Sequence, residues 1–180
     1  MDNGDRLIIF RCTKFFFNNT GEKLMECNTH DFKTAFAMLP SGVALVSCIG
    51  EAGPVGMTIS SLSSLSLDPK LLVWCAAKSS LRTSSFSEAE HTVIQIFSDA
   101  QADTALAFSQ QGLEPFETLD YTVNQHSIPV ISNCCATFYC SSFAEYDGGD
   151  HIILAARVDH AETNNNSPLV YCGGVFQKLI

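Results

Sequence analysis

The sequence predicts a mainly β protein with helices at its periphery, curled into a barrel rather than laid out as a doubly wound sheet. Three observations carry this reading. Short β-rich apolar runs recur along the chain, short turns join them as antiparallel neighbours, and no G-x-G-x-x-G opens a dinucleotide-binding unit.

From Asp31, a candidate N-cap, Phe32, Ala35, Phe36 and Leu39 recur at helical spacing until Pro40 and Gly42 stop them. Val43 to Ile49 is β-rich, and Gly50-Glu51-Ala52-Gly53-Pro54 turns it into a second strand, Val55 to Thr58, so the pair reads as a hairpin. Ser60 to Asp68 is a hydroxyl-rich connector ending at Asp68-Pro69, and Leu71 to Cys75 is a buried strand. Lys78 to Glu90 has a cap-like start and helical character, His91 to Phe97 is a strand, Ala100 to Phe108 a helix, and Gly112 to Ser127 mostly loop. Strands return at Ile128 to Ile131, Cys134 to Glu145, His151 to His160 and around Leu169 to Leu179.

The chain of 180 residues fits one domain with a short appendage, and a 46% apolar fraction against 16% charged suffices for a packed core. Residues 1–24 stand apart as an N-terminal extension: Leu7-Ile8-Ile9-Phe10 and Phe15-Phe16-Phe17 are interrupted by Arg11 and Lys14 and closed by Asn18-Asn19-Thr20-Gly21. Two roles are open for it, a strengthened subunit contact or a poorly ordered leader. Residues 25–180 form the core module.

A net charge of −9 argues against nucleic acid, which needs clustered Lys and Arg, and no apolar run is long enough to span a membrane. The opening Met1-Asp2-Asn3-Gly4-Asp5 is acidic where a secretory signal is basic. Several of the eight cysteines sit in strand-like runs, such as Val46-Ser47-Cys48-Ile49, where a free thiol acts as a small hydrophobe. A reduced, cytoplasmic protein is expected. Cys134-Cys135 and Cys140 lack the paired C-x-x-C form, so no metal site is expected.

Three segments carry candidate chemistry. Met57-Thr58-Ile59-Ser60-Ser61 ends a strand in hydroxyls. Lys78-Ser79-Ser80-Leu81-Arg82-Thr83 is a basic island: between Thr34 and Ala156 the only Lys or Arg are Lys70, Lys78 and Arg82. Glu145-Tyr146-Asp147-Gly148-Gly149-Asp150-His151 delivers a histidine through a glycine turn onto the apolar strand Ile152 to Val158. Each has an ordinary alternative: a Ser-rich loop bonded to itself, a capped helix with solvated cations, a turn histidine paired with Asp150. Together they meet the three demands of a flavin. Met57, Ile59 and Leu62 offer an apolar slot, Thr58, Ser60 and Ser61 offer polar hydrogens, and the Lys78 segment, read as a helix start, offers an anion site.

From about Asp31 to Leu179 the chain resembles the short-chain flavin reductases with an FMN-binding split β-barrel, which supply reduced flavin in two-component monooxygenases. The resemblance rests on Phe36 through Pro40-Ser41-Gly42-Val43-Ala44-Leu45-Val46, Gly56-Met57-Thr58-Ile59-Ser60-Ser61, Ser66-Leu67-Asp68-Pro69, Leu106-Ala107-Phe108, Gly149-Asp150-His151, and Pro168-Leu169-Val170-Tyr171 with Gly174-Val175-Phe176. It implies Thr58, Ser60 and Ser61 on the flavin ring, Lys78, Ser79 and Ser80 on its phosphate, and His151 on the nicotinamide, and Met57, Ile59 and Phe108 are expected among the cofactor-binding residues as well. Arg82-Thr83 stands about one place later than the hydroxyl of the commonest family form, which leaves open which of the two reaches the phosphate. The resemblance further implies FMN or FAD as the flavin, NADH or NADPH as hydride donor, a homodimer, and a separate oxygenase component. In such an enzyme the protein orients two stacked rings and excludes water, with no general base. The alternative is a barrel that holds flavin or haem without turnover, for which His30, His126 or His160 would have to supply an axial ligand.

Overall fold

The computed structural model describes residues 27–110 and 115–179. The expectations for residues 1–24 lie outside the described residues. The chain divides into two compact units, Met1–Phe36 and Ala37–Ile180.

Helix α1 (Thr29–Ala37) begins in the first unit. Its cap is Asn28 rather than the expected Asp31: the Asn28 Oδ1 accepts the Asp31 N–H at 2.9 Å, and its Nδ2 donates to Asp31 Oδ2 at 2.8 Å. Asp31 thus stands in the third helical position, where an acid favours the positive end of the helix. Phe32 and Phe36 stack one turn apart with centroids 6.0 Å from each other.

The second unit is built from strands β1 (Ser41–Gly42), β2 (Ala44–Gly50), β3 (Gly53–Ile59), β4 (Ser63–Leu67), β5 (Lys70–Ala77), β6 (His91–Ile96), β7 (Tyr121–Val123), β8 (Pro129–Ile131), β9 (Ala136–Gly148), β10 (His151–Thr163), β11 (Leu169–Cys172) and β12 (Val175–Lys178). Helices α2 (Thr83–Glu88) and α3 (Ala102–Ser109) and a 3-10 turn (Pro115–Glu117) complete it. Seven strands make one antiparallel sheet in the order β3-β2-β6-β9-β10-β5-β4; β1-β11-β12 and β7-β8 are smaller sheets. The stretch expected to be a connector, Ser60 to Asp68, contains β4, which pairs with β5 at Ser63↔Val73 and Leu67↔Lys70. Strand β7 likewise lies in the stretch read as loop.

The connection between β3 and β4 shows that this sheet is curled. These strands lie at opposite edges, yet only Ser60, Ser61 and Leu62 separate them. Four Cα steps keep Ile59 within roughly 14 Å of Ser63. In a flat sheet, six interstrand spacings would hold the edges roughly 29 Å apart. The edges must therefore approach, leaving a seam between β3 and the β4–β5 pair. The expected barrel is present, split along this line.

Strand β2 explains the core. Ala44, Val46 and Cys48 point to one face and Val43 and Leu45 to the other, and all five are buried. Both faces being covered, the strand reads as an unbroken apolar run. The first face joins Ile59, Trp74, Ala76, Ile94, Cys140, Ile152 and Leu154, with Phe86 of α2 packed edge-on against Trp74 at 5.2 Å. The second packs with Phe97, Ala105, Phe108 and Phe116 beneath α3. Gly56 permits this second contact: a Cβ there would lie 2.6 Å from the Phe108 ring.

One polar side chain crosses the packed interior. Gln95 is fully buried; its Nε2 donates to the Ile131 carbonyl at 2.9 Å and to Thr137 Oγ1 at 3.2 Å, and its Oε1 accepts the Ile131 N–H at 2.9 Å. The amide thereby satisfies both backbone groups of Ile131, as a further strand would.

Candidate flavin site

The seam gathers the three segments singled out in the sequence. Antiparallel pairing sets His151, the first residue of β10, opposite Ala77, the last residue of β5. The next residue, Lys78, donates its backbone N–H to the Asp150 carbonyl at 2.9 Å, binding the turn after β5 to the β9–β10 hairpin tip. In the connector, Ser61 Oγ accepts the Cys75 N–H at 3.0 Å and faces the Cys75 carbonyl at 3.4 Å, continuing the β4–β5 register. Ser80 Oγ comes within 4.0 Å of the Met57 sulfur.

The hairpin tip has a simple physical basis. His151 pairs with Gly148, so Gly149 and Asp150 form a two-residue turn. Gly149 has φ +82° and Asp150 has no positive φ, the pattern of a type II′ turn, which places glycine first. Asp150 Oδ1 meets His151 Nδ1 at 2.7 Å. This engages Nδ1 and orients the imidazole of a half-exposed side chain. The His151 imidazole holds the Asp150 carboxyl below its ordinary range.

A cleft of about 440 Å³ opens beside β3, lined by Thr58, Ile59, Ser60, Leu106, Tyr171 and Phe176 among others. Its volume lies within the usual span of small-ligand sites. Thr58 and Ser60 contribute hydroxyls, while Tyr171 and Phe176, 5.6 Å apart across the β11–β12 hairpin, contribute aromatic wall. As β3 is an edge strand, alternate main-chain N–H groups point away from β2 into the seam. Apolar walls beside a row of donors suit a flat ring with a polar edge.

The other expected contacts fall into two groups. Lys78, Ser79 and Ser80 occupy an exposed or half-exposed turn outside the lining of the cleft. This turn is not a helix start: α2 begins at Thr83 and runs six residues. The donors expected to face an anion are partly used in the turn, since the Ser80 N–H reaches the Ala77 carbonyl at 3.0 Å and Thr83 Oγ1 reaches the same carbonyl at 2.7 Å. Thr83 is buried and holds the turn closed. Arg82 points the other way, donating from Nη1 to the Phe108 carbonyl at 2.8 Å and from Nη2 to the Gln110 carbonyl at 2.5 Å. It braces the C-terminal end of α3, where a cation is favoured.

The Phe108 ring is fully buried against Gly56 and Phe116 and lies outside the lining of the cleft. Thr58 is tied to the same helix, donating from Oγ1 to the Ala105 carbonyl at 2.7 Å.

Two of the three histidines of the haem alternative, His126 and His160, have other partners. His126 stacks on His91 at 3.7 Å, and His160 stacks on Tyr139 and lies 3.3 Å from Glu162. Among the described residues no cluster suited to a metal ion occurs.

A split antiparallel barrel with a hydroxyl-edged cleft, a basic turn and an oriented histidine along its seam defines a nucleotide-cofactor oxidoreductase. Residues 36–179 match the flavin reductase like domain. The chain is 38% identical over 152 residues to the FMN reductase (NADH) SmoA of Agrobacterium fabrum, covering 84% of this chain and 87% of that protein. It is 31% identical to the reductase component of the flavin-dependent trigonelline monooxygenase of Acinetobacter baylyi, covering 81% of this chain but about half, 47%, of that component. The NADH:FAD oxidoreductase SgcE6 of Streptomyces globisporus, solved with NAD and FAD fragments, superposes with a TM-score of 0.81 at 25% identity, covering 88% of this chain and 97% of that one. This protein belongs to the flavin reductase family.

Proposed function

We propose that the protein is a flavin reductase that uses NADH or NADPH to reduce FMN or FAD at the barrel seam, and that it delivers the product to a separate monooxygenase component. The observation that carries the reading is the convergence at the end of β5, where the Lys78 turn, the His151 hairpin and the Ser61 connector are tied to one another by hydrogen bonds.

The nicotinamide and flavin supply the hydride chemistry themselves. The chain binds, orients and excludes water. Met57, Thr58, Ile59, Ser60 and Ser61 would hold the ring at the cleft, with the main-chain donors of β3 favouring its reduced, anionic form. Lys78, Ser79 and Ser80 would take the phosphate, and His151 Nε2 would address the nicotinamide carboxamide. Arg82 would act through α3, whose Leu106 and Ser109 line the cleft.

A cytoplasmic homodimer fits this reading. All seven described cysteines are free, as a reducing compartment requires, and Leu65, Leu67, Phe143 and Tyr146 present exposed apolar surface suited to a second copy. No helix among the described residues is long and apolar enough to cross a membrane.

The test is anaerobic bleaching of flavin absorbance by NADH and by NADPH with purified protein. Reduction well above the uncatalysed rate is expected, and loss of that rate in a Thr58→Val/Ser60→Ala variant that retains its fold. Flavin left oxidised by both nucleotides would refute the reading.

A further inference from the structure

Among the described residues, Lys78 is the cation left for a phosphate at the seam, because the Arg82 guanidinium is turned to the Phe108 and Gln110 carbonyls. It already has an anion. Its ammonium forms an ion pair with Asp147 Oδ1, two residues before the Gly149-Asp150 turn that delivers His151. A second acid, Asp150, stands beside it and is engaged by the His151 imidazole. The side chains of Lys78 and Asp147 are 46% and 79% exposed, so the carboxylate is free to swing into water. The Lys78 ammonium and the Gly149 N–H both hold the Asp147 carboxyl below its ordinary range, so at neutral pH it is fully charged.

We propose that Asp147 is a competing counter-ion for Lys78, one that an arriving flavin phosphate must displace and that reclaims the lysine when the flavin leaves. This rests on the placement of the flavin phosphate at Lys78–Ser80 argued above. A flavin phosphate brings about −1.5 to −2 charges, and it meets one ammonium flanked by two carboxylates. Its electrostatic gain is thus reduced by the Asp147 contact it replaces and by repulsion from the displaced carboxylate. The consequence is kinetic as well as thermodynamic: flavin is held loosely and exchanges as a substrate, which a reductase that hands its product to another protein needs. Asp147 is in this sense a release residue, distinct from those that grip the ring.

Flavin fluorescence titrations and stopped-flow dissociation on the full-length protein test this, using FMN and, as a probe without phosphate, riboflavin. Asp147→Asn is expected to tighten FMN binding about fivefold, the scale of one charge contact near water, and to slow FMN release by a similar factor. Riboflavin affinity is expected to stay unchanged, and the gain to disappear in a Lys78→Met background. Unchanged or weaker FMN binding in Asp147→Asn would overturn the proposal, as would an equal shift for riboflavin. If Lys78→Met left the preference for FMN over riboflavin intact, the phosphate assignment itself would fall, and the counter-ion with it. If Lys78→Met abolished that preference while Asp147→Asn did nothing, only the counter-ion role would fall.

Discussion

Arg82 donates its Nη1 to the backbone carbonyl of Phe108 at 2.8 Å, joining the turn after β5 to the end of α3. Two sides of the seam are thus linked by a side chain that the sequence offered as a phosphate ligand. Arg82→Ala should loosen α3, weaken flavin and riboflavin binding alike, and destabilise the fold by about 1.5–3 kcal/mol, the usual range for hydrogen bonds from a charged donor. Chemical denaturation combined with the two titrations measures this. An FMN-specific loss with unchanged stability would return Arg82 to the phosphate.

His151 is oriented by Asp150 and lies apart from the cleft lining. His151→Ala should raise KM for NADH about tenfold, the loss of one hydrogen-bond-sized interaction, and leave the flavin dissociation constant within about twofold. Asp150→Asn should give a smaller change in the same direction. Steady-state kinetics over a wide NADH range decides it, since equal activity at limiting and saturating nucleotide would remove the role.

Gln95 satisfies both backbone groups of Ile131 from within the core. Gln95→Leu keeps a similar volume but strands one N–H and one carbonyl, each costing about 1–3 kcal/mol when buried. The expected loss is about 2–4 kcal/mol with flavin contacts intact, measured by urea unfolding.

Burial pushes the thiols of Cys48, Cys134 and Cys140 up to about 12 from an ordinary 9.0. A group whose folded pKa is raised stabilises fully below its unfolded value and loses that contribution as pH climbs toward the folded one. The melting temperature should therefore hold up to about pH 9 and decline from there toward 12. These thiols should also resist alkylation at neutral pH while exposed Cys27 reacts. A Cys48→Ala/Cys140→Ala variant should show a shallower alkaline decline.

The strands that pack on both faces were legible because burial writes itself into composition: β2 and the first half of β10 are nearly continuous apolar runs, and β6 carries Val93, Ile94 and Ile96 among β-formers. Strand β4 was read as a connector because Ser63-Ser64-Leu65-Ser66-Leu67 belongs to an exposed edge, where solvent removes the pressure for apolar residues. The Lys78 segment was taken for a helix start on its serines. Instead the Ser80 N–H and Thr83 Oγ1 close a turn on the Ala77 carbonyl, and the Lys78 N–H pairs with Asp150 of the distant hairpin, a contact no local pattern reveals. Gly149-Asp150-His151 was readable from turn chemistry alone. The packing of Phe108 was not legible since a ring in an amphipathic helix can face a ligand or the core, and the bare Cα of Gly56 against which it packs is distant in sequence. The part played by Asp147 was hidden because its partner lies 69 residues away.

The tether Ser60-Ser61-Leu62 is a ruler for the seam. Its length caps how far the lips of the barrel can part, and each inserted residue would relax that cap by up to about 3.5 Å. The gape available to an incoming ring is thereby written into a loop length, which ties substrate admission to chain connectivity independently of any side chain lining the opening.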